Sequence, residues 1–234
     1  MHDLIKLVIF DLAGTTLSDA GQVPETFTSV LQTHGIQVTS EAIRRVRGAS
    51  KRQAIRSFVE RQFPGDATRG AAQTEQIFAE FCARLADRYM RDGVHPLPGA
   101  GETFAWLHQQ GIKIALNTGF DRAITELILR QVGWGKDPIA AVICGDDVSQ
   151  GRPAPYMIFR AMEAAGETNV RQVAVVGDTV FDLQAGWNAS VRWNIGVLSG
   201  AHTREQLERA PHTHLLPGVA ALPSLWDCVP RNYS

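Results

Sequence analysis

The feature that most limits the fold is an alternation of short apolar runs with longer amphipathic stretches. The runs are 5–10 (IKLVIF), 112–116 (IKIAL), 140–144 (AAVIC), 172–176 (QVAVV) and 192–197 (RWNIGV). Nearly all lack polar residues at alternate positions, as strands covered on both faces should. Strands separated by helical stretches make a parallel sheet layered by helices, so the chain reads as α/β with five core strands. Helices are expected at 101–110, entered through PLPGAG and closed before Gly111; at 121–132, with Asp121 as N-cap; and at 155–165, stopped by Gly166. The span 20–95 breaks the alternation, because it holds no convincing buried strand. Thr39-Ser40-Glu41 can open one helix there and Ser50 another, and 71–91 places Ile77, Phe78, Phe81, Leu85 and Tyr89 at helical spacing. The expectation is a core of residues 1–19 and 96–234 with a helical block, 20–95, inserted after the first strand. Breaks are expected at FPGDATRG (63–70) and GVHPLPGAG (93–101), the second being the hinge back into the core.

Composition narrows the function by exclusion. With 23 Lys+Arg against 24 Asp+Glu and a net charge of −1, neither a nucleic-acid-binding basic surface nor an acidic tail dominates, and no nucleic-acid partner is expected. The longest apolar run near the start, Leu7–Phe10, is too short for a bilayer span or a signal peptide, so no membrane partner and a cytoplasmic location are expected. Cys82, Cys144 and Cys228 fit neither a disulfide framework nor a zinc pattern. His212-x-His214 lacks a third ligand and reads as a solvent-facing pair, and Trp187 and Trp193 read as packing residues. The apolar stripe in 71–91 is either the core of the inserted block or a surface through which two copies form a homodimer.

Ligands of open α/β sheets bind beyond the carboxyl ends of the strands, so the residues that follow each strand carry the chemistry. Asp11-Leu12-Ala13-Gly14-Thr15-Thr16 follows the first and Asn117-Thr118-Gly119 the second. Gly151-Arg152-Pro153 comes at some distance after the third, and Gly177-Asp178-Thr179, with Asp182 beyond it, after the fourth. Asp11 and the Asp178/Asp182 pair on adjacent strands would make a hard-oxygen site suited to Mg²⁺. Arg152 and Thr118, flanked by Asn117 and Gly119, with backbone N–H groups of Gly14, Thr15 and Thr16, would cradle an oxyanion such as phosphate. Metal, cradle and a free carboxylate together suggest phosphoryl transfer through an aspartyl phosphate.

These four segments, in this order across residues 7–182 and with FDLAGTT and VVGDTVFD at the two ends, resemble the motifs of the haloacid dehalogenase superfamily. That resemblance implies a Rossmann-like core with an inserted helical cap. Phosphatases of the superfamily carry a second Asp, the acid for the leaving alcohol, where this chain has Ala13. The DLAGTT form and Arg152 are instead similar to the phosphonatase branch. The resemblance implies Asp11 as nucleophile, Mg²⁺ on Asp11, Asp178 and the Ala13 carbonyl with Asp182 supporting the metal, and Thr118 and Arg152 on the phosphoryl oxygens. It also implies a cap lysine that condenses with a substrate carbonyl, so that the protonated imine accepts the electrons of the breaking C–P bond. Lys51, three residues after Gly48, has that lysine's spacing, and Arg47, Arg52 and Arg56 would lower its proton affinity. The chain departs from the branch at Arg47, where a Met is usual, and at Ala54, where a His is usual; Arg47 suggests a substrate with an additional anionic group. The competing readings are a phosphomonoesterase for small sugar or organic-acid phosphates, with Lys51 only gripping substrate, and a non-catalytic binding protein on the same fold.

Overall fold

The computed structural model describes residues 5–64, 67–135 and 137–227. Five strands fall within a residue or two of the apolar runs: β1 (Leu7–Asp11), β2 (Lys113–Asn117), β3 (Ile139–Ile143), β4 (Val173–Gly177) and β5 (Trp193–Val197). A sixth, β6 (His214–Leu216), was not legible in the sequence, since three half-buried residues at a sheet edge leave no apolar run. All pairs are parallel, in the order β3-β2-β1-β4-β5-β6. Helices cover both faces. Val8 and Phe10 of β1 join one apolar cluster, and Leu7 and Ile9 join the other. This two-sided burial explains why the strands carry no polar alternation.

Four helices, α1 (Gln22–Thr33), α2 (Ser40–Arg45), α3 (Lys51–Gln62) and α4 (Ala67–Asp92), come between β1 and α5 (Ala100–Gln109). Thr39 caps α2 by accepting from the Ala42 N–H at 3.1 Å, and Ser50 is the residue before α3. The stripe on α4 faces inward, with Ile77, Phe78, Phe81, Leu85 and Tyr89 all buried. Phe81 meets Phe27 of α1 at 5.4 Å between ring centres, and Phe27 meets Phe58 of α3 at 6.1 Å. Of the two readings of the stripe, core of the inserted block is the one realised. Replacing Phe81 by Ala would cost about 3–5 kcal/mol. The chain leaves and re-enters the core side by side: Ser18 N–H donates to His95 O, and Leu97 N–H to Thr16 O, both at 2.9 Å. The break expected at 63–70 lies partly outside the described residues.

Helix α6 (Arg122–Val132) is capped by Asp121, whose Oδ1 accepts from the Ile124 N–H at 3.0 Å. Helix α7 (Tyr156–Ala165) ends at Gly166, as the sequence indicated. Helices α8 (Val180–Asn188), α9 (Arg204–Glu208) and α10 (Leu222–Asp227) complete the layers. Trp193 stacks on His214 at 5.2 Å, so the packing role holds for Trp193, and His214 belongs to a strand rather than to a loop. Trp187 is a correction: it lies on the outer face of α8 and is 64% exposed. Cys82 and Cys144 are free thiols, and Cys228 lies outside the described residues. Among the described residues no helix is long and apolar enough to cross a membrane.

Candidate active site

The strand order puts β1 between β2 and β4, and the register decides which residues meet. Asp11 is level with Asn117 of β2, and Phe10 with Val176 of β4, so Asp11 stands between the turn carrying Thr118 and the turn carrying Asp178. The Arg152 guanidinium is buried among them. Its Nη2 is 2.7 Å from Asp11 Oδ1 and donates to Asn117 Oδ1 at 2.7 Å and Asn117 O at 2.9 Å. Its Nη1 lies 2.9 Å from Asp182 Oδ1 and donates to the Gly48 carbonyl at 3.2 Å. The Nε is buried with no partner, a donor that an anion's oxygen would satisfy. Thr118 lines the same crevice, its hydroxyl accepting from the Phe120 N–H at 3.2 Å.

Asp11 and Asp178 are both pushed upward, first by burial. Arg152 pulls Asp11 back while Asp182 raises it, and Asp178 is raised further by Asp11 and Asp182. Carboxylates that desolvate and repel one another are a setting in which a divalent cation is favourable. No group of three or more His, Cys, Asp and Glu side chains converges as a metal cage among the described residues. Two carboxylates and a carbonyl are the sparser set that Mg²⁺ accepts, since it keeps much of its water and borrows substrate oxygens. Asp11, Asp178 and Ala13, which line one crevice, therefore fit such an ion. Asp182 is not among the residues that line this crevice. Its Oδ1 is paired with Arg152 and its Oδ2 accepts from the Thr179 hydroxyl at 2.6 Å and the Thr179 N–H at 3.1 Å, so it caps α8 and orients Arg152.

The loop after β1 also differs from expectation. The N–H of Gly14 donates to Leu17 O, and those of Thr15 and Thr16 to Leu12 O, so these three do not cradle an anion. The loop instead shapes the carboxylate end: the Thr15 hydroxyl donates to Asp178 Oδ1 at 3.2 Å and the Thr16 hydroxyl to Asp11 O at 3.0 Å. Gly14 has φ +96°, and a Cβ there would lie 2.4 Å from Asp178 Oδ2. Asn117 likewise holds Arg152 rather than lining the crevice.

The inserted helices supply the opposite wall. Lys51 is the first residue of α3, its N–H donating to Gly119 O at 3.2 Å. Its Nζ is 3.3 Å from Ala49 O and 5.2 Å from the centre of the Phe120 ring. Lys51 shares the crevice with Asp11, Thr118 and Arg152, and its pKa is pushed down to about 8, chiefly by burial, with Asp11 opposing and Arg152 and Arg47 adding to the fall. The expected arginine cluster is thus only partly realised. Arg52 is paired with Glu75 and lies 4.2 Å over the Phe78 ring, and Arg56 is exposed. Arg47 does line the crevice, but its guanidinium is already ion-paired with Asp19.

Four residues here carried no sequence signal beyond adjacency to a motif. Phe120 follows the Asn117-Thr118-Gly119 segment, and Thr179 closes the Gly177-Asp178-Thr179 segment without a role assigned to it. Asp19 sits where the chain leaves the core. His202, buried, accepts from the Val180 N–H on Nδ1 at 3.0 Å, which leaves its Nε2 to donate to Arg44 O of α2 at 3.4 Å.

A family model described as haloacid dehalogenase-like hydrolase matches residues 5–189. The chain belongs to the haloacid dehalogenase-like hydrolases. Within them, it is 31% identical over 219 residues to a phosphonoacetaldehyde hydrolase of Bacillus cereus, covering 87% of this chain and 81% of that one. It is also 31% identical over 220 residues to a bifunctional phosphonoacetaldehyde hydrolase/aminoethylphosphonate transaminase of Clostridioides difficile, covering 87% of this chain and 34% of that longer one. Among solved structures, a hydrolase from Pseudomonas syringae superposes with a TM-score of 0.84 at 22% identity, covering 96% of this chain and 99% of that one. A β-phosphoglucomutase from Clostridium difficile shares the fold with a TM-score of 0.78 at 17% identity and 96% coverage of both chains. Hydrolase chemistry on the haloacid dehalogenase-like fold follows from the family.

Proposed function

We propose that this hydrolase releases phosphate from a small carbonyl-bearing phosphonate, such as phosphonoacetaldehyde, with Mg²⁺ as cofactor, and that helices 20–95 act as its cap. One juxtaposition carries the reading: Lys51, with its pKa pushed down to about 8, faces the crevice of Asp11, Thr118 and Arg152, while Ala13 stands where a phosphatase needs an acid. An amine brought toward neutral pH is what imine formation requires, and a phosphomonoesterase has no use for it. The names of the relatives point the same way.

In this mechanism the neutral Lys51 amine adds to the substrate carbonyl and, with uptake of one proton from solvent, water leaves, giving a protonated imine. The Asp11 carboxylate attacks phosphorus, the C–P bond breaks, and its electron pair moves into the imine to form an enamine. Proton uptake at carbon regenerates the imine, whose hydrolysis frees Lys51 and an aldehyde or ketone. Water then cleaves the aspartyl phosphate on Asp11. Mg²⁺ on Asp11, Asp178 and the Ala13 carbonyl would neutralise phosphoryl charge. Arg152 and Thr118 bind the phosphoryl oxygens, the guanidinium offering its unpaired Nε. The free space between the two walls is about 30 Å³, so the arrangement corresponds to a closed cap and substrate must enter with the cap displaced.

The test is phosphate release from phosphonoacetaldehyde against a panel of phosphate monoesters, with Mg²⁺ or with chelator. Mg²⁺-dependent release from the phosphonate, at a kcat/KM above that of every monoester, is expected. Release only from monoesters would overturn the proposal in favour of a phosphomonoesterase.

A further inference from the structure

We infer that Asp19 is a specificity-determining residue: by pairing with Arg47 it cancels the cap guanidinium that lines the crevice, and so reserves the site for carbonyl phosphonates that carry no second anionic group. The inference rests on the functional reading above and deepens it by naming the substrate class.

The pair is part of the crevice. Asp19 and Arg47 line it together with Lys51 and Asp11, and their side chains are only 3% and 22% exposed. Both partners come from anchored backbone. Asp19 lies on the chain leaving the core and accepts, at 3.4 Å, from the N–H of Val23 in the first turn of α1. Arg47 comes from the inserted helices, and the residue after it is clamped: the Gly48 carbonyl accepts from Arg152, and its Cα packs so closely on Thr179 that a Cβ would lie 2.2 Å from the Thr179 hydroxyl oxygen. Arg47 therefore reaches the crevice with its charge already matched by Asp19.

The other cations have no surplus to offer. Arg152 is matched by Asp11 and Asp182 and would meet the phosphoryl group. Lys51 must be a neutral amine to attack the carbonyl. Apart from the imine charge, which every carbonyl substrate shares, a carboxylate attached to that carbonyl would find at the cap wall only an Arg47 whose charge Asp19 has already matched. An aldehyde or simple ketone needs no such partner. The anionic substituent that Arg47 suggests in the sequence is thus disfavoured once its partner is seen.

The test is a charge cycle on the ratio of kcat/KM for 3-phosphonopyruvate to that for phosphonoacetaldehyde, chemically similar substrates differing by one carboxylate. The parent enzyme is expected to favour the aldehyde. Asp19→Asn, which leaves Arg47 uncompensated, should raise the ratio at least tenfold, and Arg47→Gln, which leaves Asp19 uncompensated, should lower it at least tenfold. The double variant should return it to within about threefold of the parent. Opposite shifts are required, so either single variant suffices should the other fail to fold. A ratio unmoved in the folded variants, or a parent that favours the carboxylate, overturns the inference. Failure of the functional reading shows separately, as no phosphate from either phosphonate; the same cycle is then read on phosphoglycolate against glycolaldehyde phosphate, with the same expected shifts and the same overturning results.

Discussion

The ionisation of Lys51 can be followed to a number. An ordinary lysine at 10.5 presents roughly one neutral amine in three thousand at pH 7, whereas one at about 8 presents roughly one in ten, a gain of about 300-fold in nucleophile. Imine formation should therefore rise with pH and level off above about pH 8. The same shift has a stability cost, and its sign is fixed by linkage. Because the folded-state value lies below the unfolded one, the native state holds this proton less tightly; the penalty is complete below about pH 8 and disappears as pH climbs through 10.5. At about 1.4 kcal/mol per pKa unit the ceiling is about 3 kcal/mol, and the partial exposure of Lys51 brings the expectation to on the order of 1–2 kcal/mol. Lys51→Met should thus be inactive on the phosphonate yet more stable than its parent at pH 7, with the gap closing toward pH 10. The assays are kcat/KM for phosphonoacetaldehyde and thermal unfolding of both proteins, each across pH 6–10. An alkaline limb near 10.5, or a Met variant less stable than its parent at pH 7, would mean that burial does not lower the proton affinity of Lys51.

Two further substitutions probe the clamp between the walls. Gly48→Ala forces a side chain onto a backbone with φ +89° and into the Thr179 hydroxyl, so the 47–51 loop must lift from the core; kcat/KM should fall at least tenfold, with a loss in thermal stability of about 1–2 kcal/mol. Arg152→Met leaves Asp11 and Asp182 buried without their counter-charge and should cost about 3–5 kcal/mol at neutral pH by denaturant unfolding, the deficit shrinking as pH falls and Asp11, already pushed upward by burial, is protonated.

What the sequence made legible follows from the range of the forces involved. Strands buried on both faces leave continuous apolar runs, and a parallel sheet brings its strand ends together, so Asp11, Thr118 and Asp178 could be placed at one site before any coordinate was known. Lys51 could be singled out only through the resemblance to the phosphonatase branch, whose lysine has the same spacing from a glycine as Lys51 from Gly48. Other features depend on which groups meet across the two walls, and no local pattern encodes that. Arg47 looks like a free cation until Asp19 is beside it, and Asp182 like a metal ligand until Arg152 and Thr179 take its oxygens. The N–H groups of Gly14, Thr15 and Thr16 look available until the turn that spends them on Leu17 and Leu12 has formed. Residues Arg52 and Arg56 are near Lys51 in sequence, but the helix turns them toward Glu75 and toward solvent. His202 joins α8 to α2 by two hydrogen bonds from a loop with no motif of its own.

The central claim is that Lys51 becomes covalently attached to the carbonyl carbon of the substrate while Asp11 takes the phosphoryl group. Borohydride reduction during turnover of phosphonoacetaldehyde, followed by peptide mass analysis, tests it most directly. A stable two-carbon adduct on Lys51 is expected, absent without substrate and absent in Lys51→Met. Phosphate release from the phosphonate with no adduct on Lys51, or with the adduct on another lysine, would contradict it.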